Sequence, residues 1–260
     1  MKVVILAGGF GTRISEESYL KPKPMIEIGG QPILWHIMKC YSYYGFNEFI
    51  ICCGYRANVI KEYFANYYWY HSDMTFEFKH SNKITIHNNF AEPWTVTVVD
   101  TGLNTMTGGR LKRIREYIGN ETFMLTYGDG VCDVNLCSLY EFHKSHKKMV
   151  TLTAIQPGSR FGTLNIGNSD LVEKFAEKKL DDGGWINGGF MVVESELLEH
   201  IEGDSTVLEK EPLEFAAATE NLVAYRYNGF WQCMDTMRDK QYLENLIKEG
   251  KAPWAVWDER

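Results

Sequence analysis

A glycine-rich segment near the start of the chain has the residue types of a phosphate-binding loop. The sequence Leu-Ala-Gly-Gly-Phe-Gly-Thr-Arg occupies positions 6–13 and follows directly on an apolar, β-branched run. Glycines let backbone N–H groups approach phosphate oxygens, and the carboxyl end of a first strand is where open α/β sheets bind ligands. The dinucleotide fingerprint needs a glycine where Ile14 stands, and the Walker A loop needs Gly-Lys-Ser/Thr where Arg13 stands. The loop therefore predicts phosphate binding without naming a reaction.

Two cations close to this loop suit a nucleoside triphosphate. Arg13 ends the loop, and Lys23 lies between Pro22 and Pro24, which stiffen the segment and fix the direction of the lysine. A guanidinium can hold the β- and γ-phosphates with two hydrogen bonds, and an ammonium can neutralise charge on an attacked α-phosphate. The alternative is a surface loop with solvated lysines.

Two aspartates are candidate ligands of Mg²⁺. Asp129 stands in Thr-Tyr-Gly-Asp-Gly, positions 126–130, where an apolar strand runs into a turn, and Asp235 follows an aromatic stretch. Mg²⁺ prefers one or two carboxylates together with phosphate oxygens and water. Each aspartate also has a structural interpretation, because Asp129 could form an Asx turn and either Asp235 or Thr236 could cap the last helix.

Other polar residues give weaker signals. Arg110 lies where a helix opens and offers a cation, while Glu177, Lys178 and Asn187 offer a carboxylate, an ammonium and an amide for hydroxyls and phosphate. A solvated charged turn explains Glu177 and Lys178 equally well. The seven histidines form no metal-ligand set and are expected at the surface. The six cysteines lack Cys-x-x-Cys spacing and are expected to be reduced core thiols.

The elements that must position these residues predict an α/β fold. Apolar strands alternate with amphipathic helices, which gives βαβ units and a mixed, mostly parallel central sheet with helices on both faces. The predicted strands include Lys2 to Leu6, Phe49 to Cys53, Thr95 to Val99, Phe123 to Tyr127, Val150 to Ile155, Gly162 to Ile166, Leu171 to Phe175, Gly189 to Val193 and Leu222 to Tyr227. The predicted helices include Val59 to Tyr68, Gly109 to Ile118, Leu136 to His146, Pro212 to Thr219 and Asp239 to Lys248. Residues Thr75 to Phe78 and Lys83 to His87 predict an antiparallel excursion.

Composition narrows the class of protein further. At 260 residues without a linker or repeat, we expect one domain over 1–260, with residues 237–260 as a helical tail. The net charge of -7 argues against a nucleic-acid partner. No apolar stretch is long enough to span a bilayer, and the first residues lack a signal-peptide pattern, so we expect a cytoplasmic protein that does not bind membranes.

Taken together, these motifs resemble the sugar-1-phosphate nucleotidyltransferase family. The resemblance rests on the loop at 6–13, Lys-Pro-Lys-Pro at 21–24, Tyr-Gly-Asp-Gly at 127–130 and the segments at 177–178 and 187–189, whose order spans most of the chain. Further segments, such as Met-Thr-Gly-Gly-Arg-Leu-Lys at 106–112 and Met-Asp-Thr at 234–236, are similar to members that use CTP and α-D-glucose 1-phosphate.

The resemblance implies a Rossmann-like nucleotidyltransferase fold, Mg²⁺ as cofactor, direct in-line attack of glucose 1-phosphate on CTP, and a homo-oligomer that feeds synthesis of bacterial surface polysaccharide. It places Arg13 and Lys23 in the catalytic role, and Asp129 and Asp235 as metal ligands. The implied nucleotide-binding residues are Leu6, Ala7, Gly8, Gly9, Gly11, Thr12, Arg13, Lys23, Thr105, Arg110 and Gly128. The implied sugar-phosphate-binding residues are Gly162, Glu177, Lys178 and Asn187.

Alternatives remain open on the sequence alone. Lys179 replaces the proline that usually follows Lys178 in the family, which leaves the sugar open, and the base could equally be uracil or thymine. A glycosyltransferase of similar fold would carry a paired Asp-x-Asp, whereas Asp129 is followed by Gly130 and Val131. An inactive nucleotide-binding regulator is a third alternative.

Overall fold

The fold is described from a computed structural model of the chain. It describes residues 1–11, 14, 21–79, 82–156, 162–166, 172–177 and 184–258, and for 162–166 and 172–177 only the backbone.

A seven-stranded sheet forms the centre of the molecule. The described strands are β1 Lys2–Ala7, β2 Glu27–Ile28, β3 Gln31–Pro32, β4 Glu48–Cys53, β5 Ser72–Glu77, β6 Lys83–Asn89, β7 Thr95–Asp100, β8 Phe123–Tyr127, β9 Gly130–Cys132, β10 Val150–Ile155, β11 Gly162–Ile166, β12 Val172–Glu177, β13 Ile186–Val193, β14 Leu222–Tyr227 and β15 Trp231–Cys233. The order of strands in the central sheet is β14-β10-β13-β8-β1-β4-β7. Strands β8, β1, β4 and β7 run parallel to one another, β10 runs parallel to β14, and β13 is antiparallel to both of its neighbours. This confirms the predicted mixed, mostly parallel sheet.

Helices cover the sheet on both faces. They are α1 Ile33–Tyr43, α2 Ala57–Tyr70, α3 Thr107–Arg113, α4 Arg115–Ile118, α5 Leu136–His146, α6 Glu211–Ala218 and α7 Met237–Lys248, with 3₁₀ turns at Lys23–Met25, Ser195–His200 and Val256–Asp258. The helices α1, α2, α5 and α7 supply apolar residues to one core layer, while α3, α4 and α6 supply them to the other.

The side chains of β1 alternate between two core layers, which shows why the sheet is buried on both faces. Val3 and Ile5 belong to the first layer, Val4 and Leu6 to the second, and all four are buried. Successive side chains of a strand point to opposite faces, so a strand that is apolar throughout requires cover on both sides. The two helical layers provide that cover.

Several local predictions were confirmed and others were wrong. The strands Phe123–Tyr127, Val150–Ile155, Gly162–Ile166 and Leu222–Tyr227, the helix Leu136–His146 and the antiparallel excursion β5–β6 are present. The predicted helix from Gly109 to Ile118 is instead two helices, α3 and α4, which meet at Ile114. The histidine prediction was wrong for His36 and His143, which are 4% and 2% exposed. None of the described helices is both long enough and apolar enough to cross a membrane.

The cysteine prediction was confirmed for most positions. Every cysteine is a free thiol, and four of the six are buried, whereas Cys137 is exposed and Cys233 is partly buried. Burial raises the pKa of the Cys53 thiol to about 12, so this thiol stays protonated and behaves as an apolar core group.

Candidate functional site

A cavity of about 560 Å³ opens where the glycine-rich loop leaves β1. Parallel strands β1 and β8 end at the same edge, and Leu6 lies opposite Tyr127 in their register. The cavity is lined by Leu6, Ala7, Gly8, Gly9, Phe10, Gly11, Lys23, Pro24, Leu103, Asn104, Thr105, Met106, Thr107, Arg110, Tyr127, Gly128, Asp129 and Asp235. The structure therefore gathers most of the predicted nucleotide-binding residues and both predicted metal ligands around one space.

Lys23 joins the two aspartates at the floor of this cavity. Its ammonium Nζ donates to Asp129 Oδ2 at 2.7 Å and to Asp235 Oδ1 at 2.5 Å. Burial by itself would lower the pKa of Lys23, but the two carboxylates outweigh burial and raise its pKa above the usual value. The lysine therefore remains charged, and the three residues form one compact ionic cluster.

Short backbone elements hold this cluster together. Lys23 opens a 3₁₀ turn, Lys23–Met25, and proline on either side limits its backbone. Asp129 and Asp235 flank a small antiparallel pairing of β9 with β15, and the Met234 N–H donates to the Asp129 carbonyl at 2.8 Å. Two carboxylates far apart in sequence are thus fixed side by side.

The N-cap of α7 is Thr236, which answers the question left open for Asp235. The Thr236 hydroxyl accepts from the Asp239 N–H, and the Asp239 carboxylate accepts from the Thr236 N–H, which makes a capping box. The Asp239 carboxylate also accepts from the Asp235 N–H at 3.1 Å. The cap therefore orients the backbone of Asp235 and leaves its carboxylate directed at Lys23.

Arg110 braces the loops around the cavity. It is 5% exposed, and its guanidinium donates to the carbonyls of Gly8 at 3.0 Å, Cys53 at 2.9 Å and Gly102 at 2.8 Å, as well as to the Thr101 hydroxyl at 2.8 Å. Burial lowers its pKa from the usual value. The guanidinium thus donates to backbone carbonyls of three separate segments, the end of β4 and the two loops at Gly8 and Gly102, and it joins them. The sequence had predicted that this cation binds the nucleotide.

Glycine is required where this brace meets the phosphate-binding loop. A Cβ added at Gly8 would lie 2.1 Å from Nη1 of Arg110, and one added at Gly54 would lie 2.7 Å from the Gly8 carbonyl oxygen. Larger residues would push the loops apart, so the glycines set the depth of the cavity.

A second hydrogen-bonded group, which sequence reasoning missed, includes two residues that line the cavity, Tyr127 and Thr107. The Tyr127 hydroxyl donates to Glu209 at 2.5 Å, and the Thr107 hydroxyl donates to the other Glu209 oxygen at 2.7 Å. Burial and Glu209 raise the pKa of the Tyr127 hydroxyl, and a side-chain hydrogen bond with Asn187 acts in the opposite direction. Asn187 therefore lies beside Tyr127. Glu209 gave no sequence signal because it stands in an ordinary charged segment, 82 positions from Tyr127.

Some predicted residues cannot be placed at the cavity. Thr12, Arg13 and Lys178 lie outside the described residues. Gly162 and Glu177 are described only by their backbone, which pairs them directly across β11 and β12. Thr105, by contrast, is placed at the cavity, which it lines, and is 6% exposed.

The donor set around Lys23 fits a divalent metal ion of the Mg²⁺ type. Asp129 and Asp235 present carboxylate oxygens to one common cation, the Lys23 ammonium. Among the described residues no group of three or more His, Cys, Asp or Glu is positioned to hold a metal. Two carboxylates without sulfur or imidazole suit Mg²⁺, which takes its remaining ligands from phosphate and water.

Comparison with known proteins found a matching family model, similar relatives and solved structures of similar fold. A family model described as Nucleotidyl transferase matches residues 2–239. Glucose-1-phosphate cytidylyltransferase of Salmonella typhimurium is 54% identical over 259 residues, covering 99% of this chain and 100% of the relative. The protein of the same name from Salmonella typhi matches to the same extent. Among solved structures, HddC from Yersinia pseudotuberculosis has a similar fold, with a TM-score of 0.67 at 22% identity over 95% of this chain and 99% of that chain.

Proposed function

Because the chain belongs to the Nucleotidyl transferase family, we propose that it transfers a cytidylyl group from CTP to α-D-glucose 1-phosphate, giving CDP-glucose and pyrophosphate. The observation that carries this proposal is the ionic cluster of Lys23, Asp129 and Asp235 at the floor of a cavity bordered by a glycine-rich loop. The names of the Salmonella relatives support the choice of base and sugar.

In this proposal the reaction is a direct displacement at phosphorus. A phosphate oxygen of glucose 1-phosphate attacks the α-phosphorus of CTP, and the bond from that phosphorus to the bridging oxygen of pyrophosphate breaks. The backbone N–H groups of the loop from Gly8 to Gly11 bind the triphosphate, with Arg13 beside its β- and γ-phosphates. The Lys23 ammonium neutralises charge on the attacked phosphate, and Asn187 meets the sugar phosphate together with Lys178.

Asp129 and Asp235 would hold Mg²⁺. When bound, the ion supplies positive charge that offsets the phosphate charge of the substrates. The protein contributes the fixed spacing of the two carboxylates, which the β9–β15 pairing and the α7 cap maintain.

The reaction is tested by a panel of CTP, UTP, dTTP and GTP against several sugar 1-phosphates, with released pyrophosphate as the readout. We expect pyrophosphate release to be greatest for CTP with glucose 1-phosphate. Greatest release with another pair would overturn the proposed substrates but keep the reaction class. Consumption of CDP-glucose only with an added acceptor, and no pyrophosphate, would identify a glycosyltransferase instead.

The role of Asp129 is tested by Asp129→Ala. We expect turnover at millimolar Mg²⁺ to fall by roughly 10³-fold, as for the loss of a major electrostatic group at a reaction centre. The matched control is Glu141→Ala, which removes an exposed carboxylate from α5 and should leave turnover unchanged. Circular dichroism should show both variants folded, and near-normal turnover of Asp129→Ala would remove Asp129 from the metal site.

We further propose that the enzyme acts in the cytoplasm and as a homo-oligomer. Both proposals extend the resemblance to the nucleotidyltransferase family.

A further inference from the structure

Glu209 is an exposed carboxylate that joins two side chains of the cavity wall. Tyr127, at the end of β8, donates its hydroxyl proton to Oε1 of Glu209 at 2.5 Å. Thr107, at the start of α3, donates to Oε2 at 2.7 Å. The Thr107 hydroxyl also accepts from the Leu208 N–H at 2.9 Å. One carboxylate thus holds hydroxyl groups from two different elements around the cavity.

The directions of the hydrogen bonds around Tyr127 follow from the groups that take part. A phenol has one proton and a carboxylate accepts, so the Tyr127 proton points at Glu209. The Gly189 N–H donates at 2.9 Å to the Asn187 side chain, which accepts through its amide oxygen. The hydrogen bond between Asn187 and Tyr127 therefore runs from the amide NH2 to the phenol oxygen. Such a donor favours the phenolate, which agrees with the lowering effect of Asn187 on the pKa of Tyr127.

The result is a chain of hydrogen bonds from Asn187 through Tyr127 to Glu209. Because Glu209 takes the only proton of the phenol, the phenol oxygen stays an acceptor for the Asn187 amide. Without Glu209, the hydroxyl could rotate and point its own proton at the amide NH2. Hydrogen bonds that share a group also strengthen one another, so the bond to Glu209 tightens the bond from Asn187.

Backbone packing fixes the segment that carries Asn187. Gly189 has a φ of +82°, and a Cβ added there would lie 2.5 Å from Cδ2 of Tyr127, so the tyrosine ring lies directly against this segment. The Trp231 indole N–H donates to the Gly188 carbonyl at 2.7 Å. With the backbone held in this way, the direction of the Asn187 amide is left for its side-chain hydrogen bonds to set.

We propose that Glu209 is a positioning residue for the sugar phosphate: it takes the Tyr127 proton and thereby fixes the direction of the Asn187 amide. The proposal rests on the proposed function for the identity of the substrate that Asn187 meets. Glu209 acts through Tyr127 and does not itself contact the substrate. The Thr107 hydroxyl keeps the Leu208 N–H when Glu209 is replaced, so the start of α3 stays in place beside the nucleotide.

Steady-state kinetics of Glu209→Ala test which substrate depends on this residue. We expect the KM of glucose 1-phosphate to rise roughly 10-fold, the scale of one misplaced hydrogen bond, and the KM of CTP to change by less than about 2-fold. The matched control is Glu211→Ala, which removes an exposed carboxylate from the first turn of α6 and should leave both KM values unchanged. An equal rise in both KM values for Glu209→Ala would indicate general loosening and overturn the proposal.

The route through Tyr127 is tested by combining Glu209→Ala with Tyr127→Phe. Tyr127→Phe removes the hydroxyl that joins Glu209 to Asn187, so Glu209→Ala should add less than about 2-fold to the KM of glucose 1-phosphate in that background. If Glu209→Ala has its full effect in the Tyr127→Phe protein, Glu209 acts independently of Tyr127 and the proposed route is wrong.

Nuclear magnetic resonance of the substrate-free protein measures the position of Asn187 without catalysis. The side-chain amide signal of Asn187 is identified by its absence from Asn187→Ala. We expect this signal to shift in Glu209→Ala and in Tyr127→Phe and to stay in place in Glu211→Ala. A signal that does not move in Glu209→Ala would refute the positioning role. A signal that shifts as expected in a protein that releases no pyrophosphate would refute the proposed reaction and leave Glu209 as the residue that positions Asn187.

Discussion

Replacing Arg110 by methionine tests whether this buried cation braces the loops or binds the nucleotide directly. The substitution removes donors to the carbonyls of Gly8, Cys53, Gly102 and Leu103. The Cys53 carbonyl keeps two donors from Thr101, and the Gly8 carbonyl keeps the Tyr55 N–H at 3.3 Å. The main losses are therefore at Gly102 and Leu103. One or two weakened carbonyl contacts correspond to a loss of about 2–3 kcal/mol in the free energy of unfolding.

The same change should weaken CTP binding indirectly. The loop that holds Thr105 and the glycine-rich loop would no longer be joined, so binding CTP must also order them. We expect the dissociation constant of CTP to rise by roughly 10- to 100-fold, equivalent to about 1.4–2.8 kcal/mol. Arg110→Lys should recover part of the stability, since an ammonium can reach some of the carbonyls but not several at once.

Urea unfolding and calorimetric titration with CTP measure the two effects separately. Arg113→Met is the control, because Arg113 lies on the same helix but is exposed and pairs with Asp204, so its loss should change stability by less than about 0.5 kcal/mol. If Arg110→Met unfolds at the same urea concentration as the unmodified protein while CTP binding is lost, the brace is refuted and Arg110 is a direct ligand.

Two further predictions concern the buried His36 and the cap of α7. Burial lowers the pKa of His36 to about 4 in the folded protein. As the pH falls below 6.5, this histidine becomes protonated in the unfolded chain but not in the folded one, so the folded state loses stability between about pH 6.5 and pH 4. The free energy of unfolding lost through His36 is about 3 kcal/mol. Urea unfolding at pH 7 and at pH 4.5 should therefore show a smaller difference in stability for His36→Gln than for the unmodified protein. An equal difference in the two proteins would contradict this assignment. Thr236→Ala removes the cap of α7 and should cost about 1–2 kcal/mol of unfolding free energy, whereas Thr236→Ser should restore most of it; an unchanged melting temperature for Thr236→Ala would contradict the cap.

The strands and helices of the central sheet were predictable because their signal is local. Phe123–Tyr127 and Val150–Ile155 are short β-branched or aromatic runs between turns, and Leu136–His146 has apolar residues at helical spacing after the Asn135 cap. Such patterns arise because one or both faces of a strand or helix are buried, and the residues that form those faces lie within the segment itself. The split at Ile114 was not predictable in this way, because the apolar positions run on through it.

The side-chain partners within the site depend on distant parts of the chain. The sequence predicts Arg110 as a nucleotide-binding cation, yet its buried guanidinium donates to the carbonyls of Gly8 and Gly102, which distant parts of the chain bring to it. His36 looks equally ordinary, but Trp254 near the other end of the chain is fully buried and donates to its ring at 3.4 Å. Sequence patterns show which residues carry chemistry, and they do not show which backbone groups will surround them.

The ionic cluster of Lys23, Asp129 and Asp235 also has a consequence for how the chain folds. Its members are separated by 106 and 212 positions, so two long loops must close before the cluster exists. Contacts of such long sequence separation form slowly compared with helices and hairpins. The catalytic centre is therefore a late product of folding, and recovery of turnover after dilution from denaturant reports completion of the whole domain.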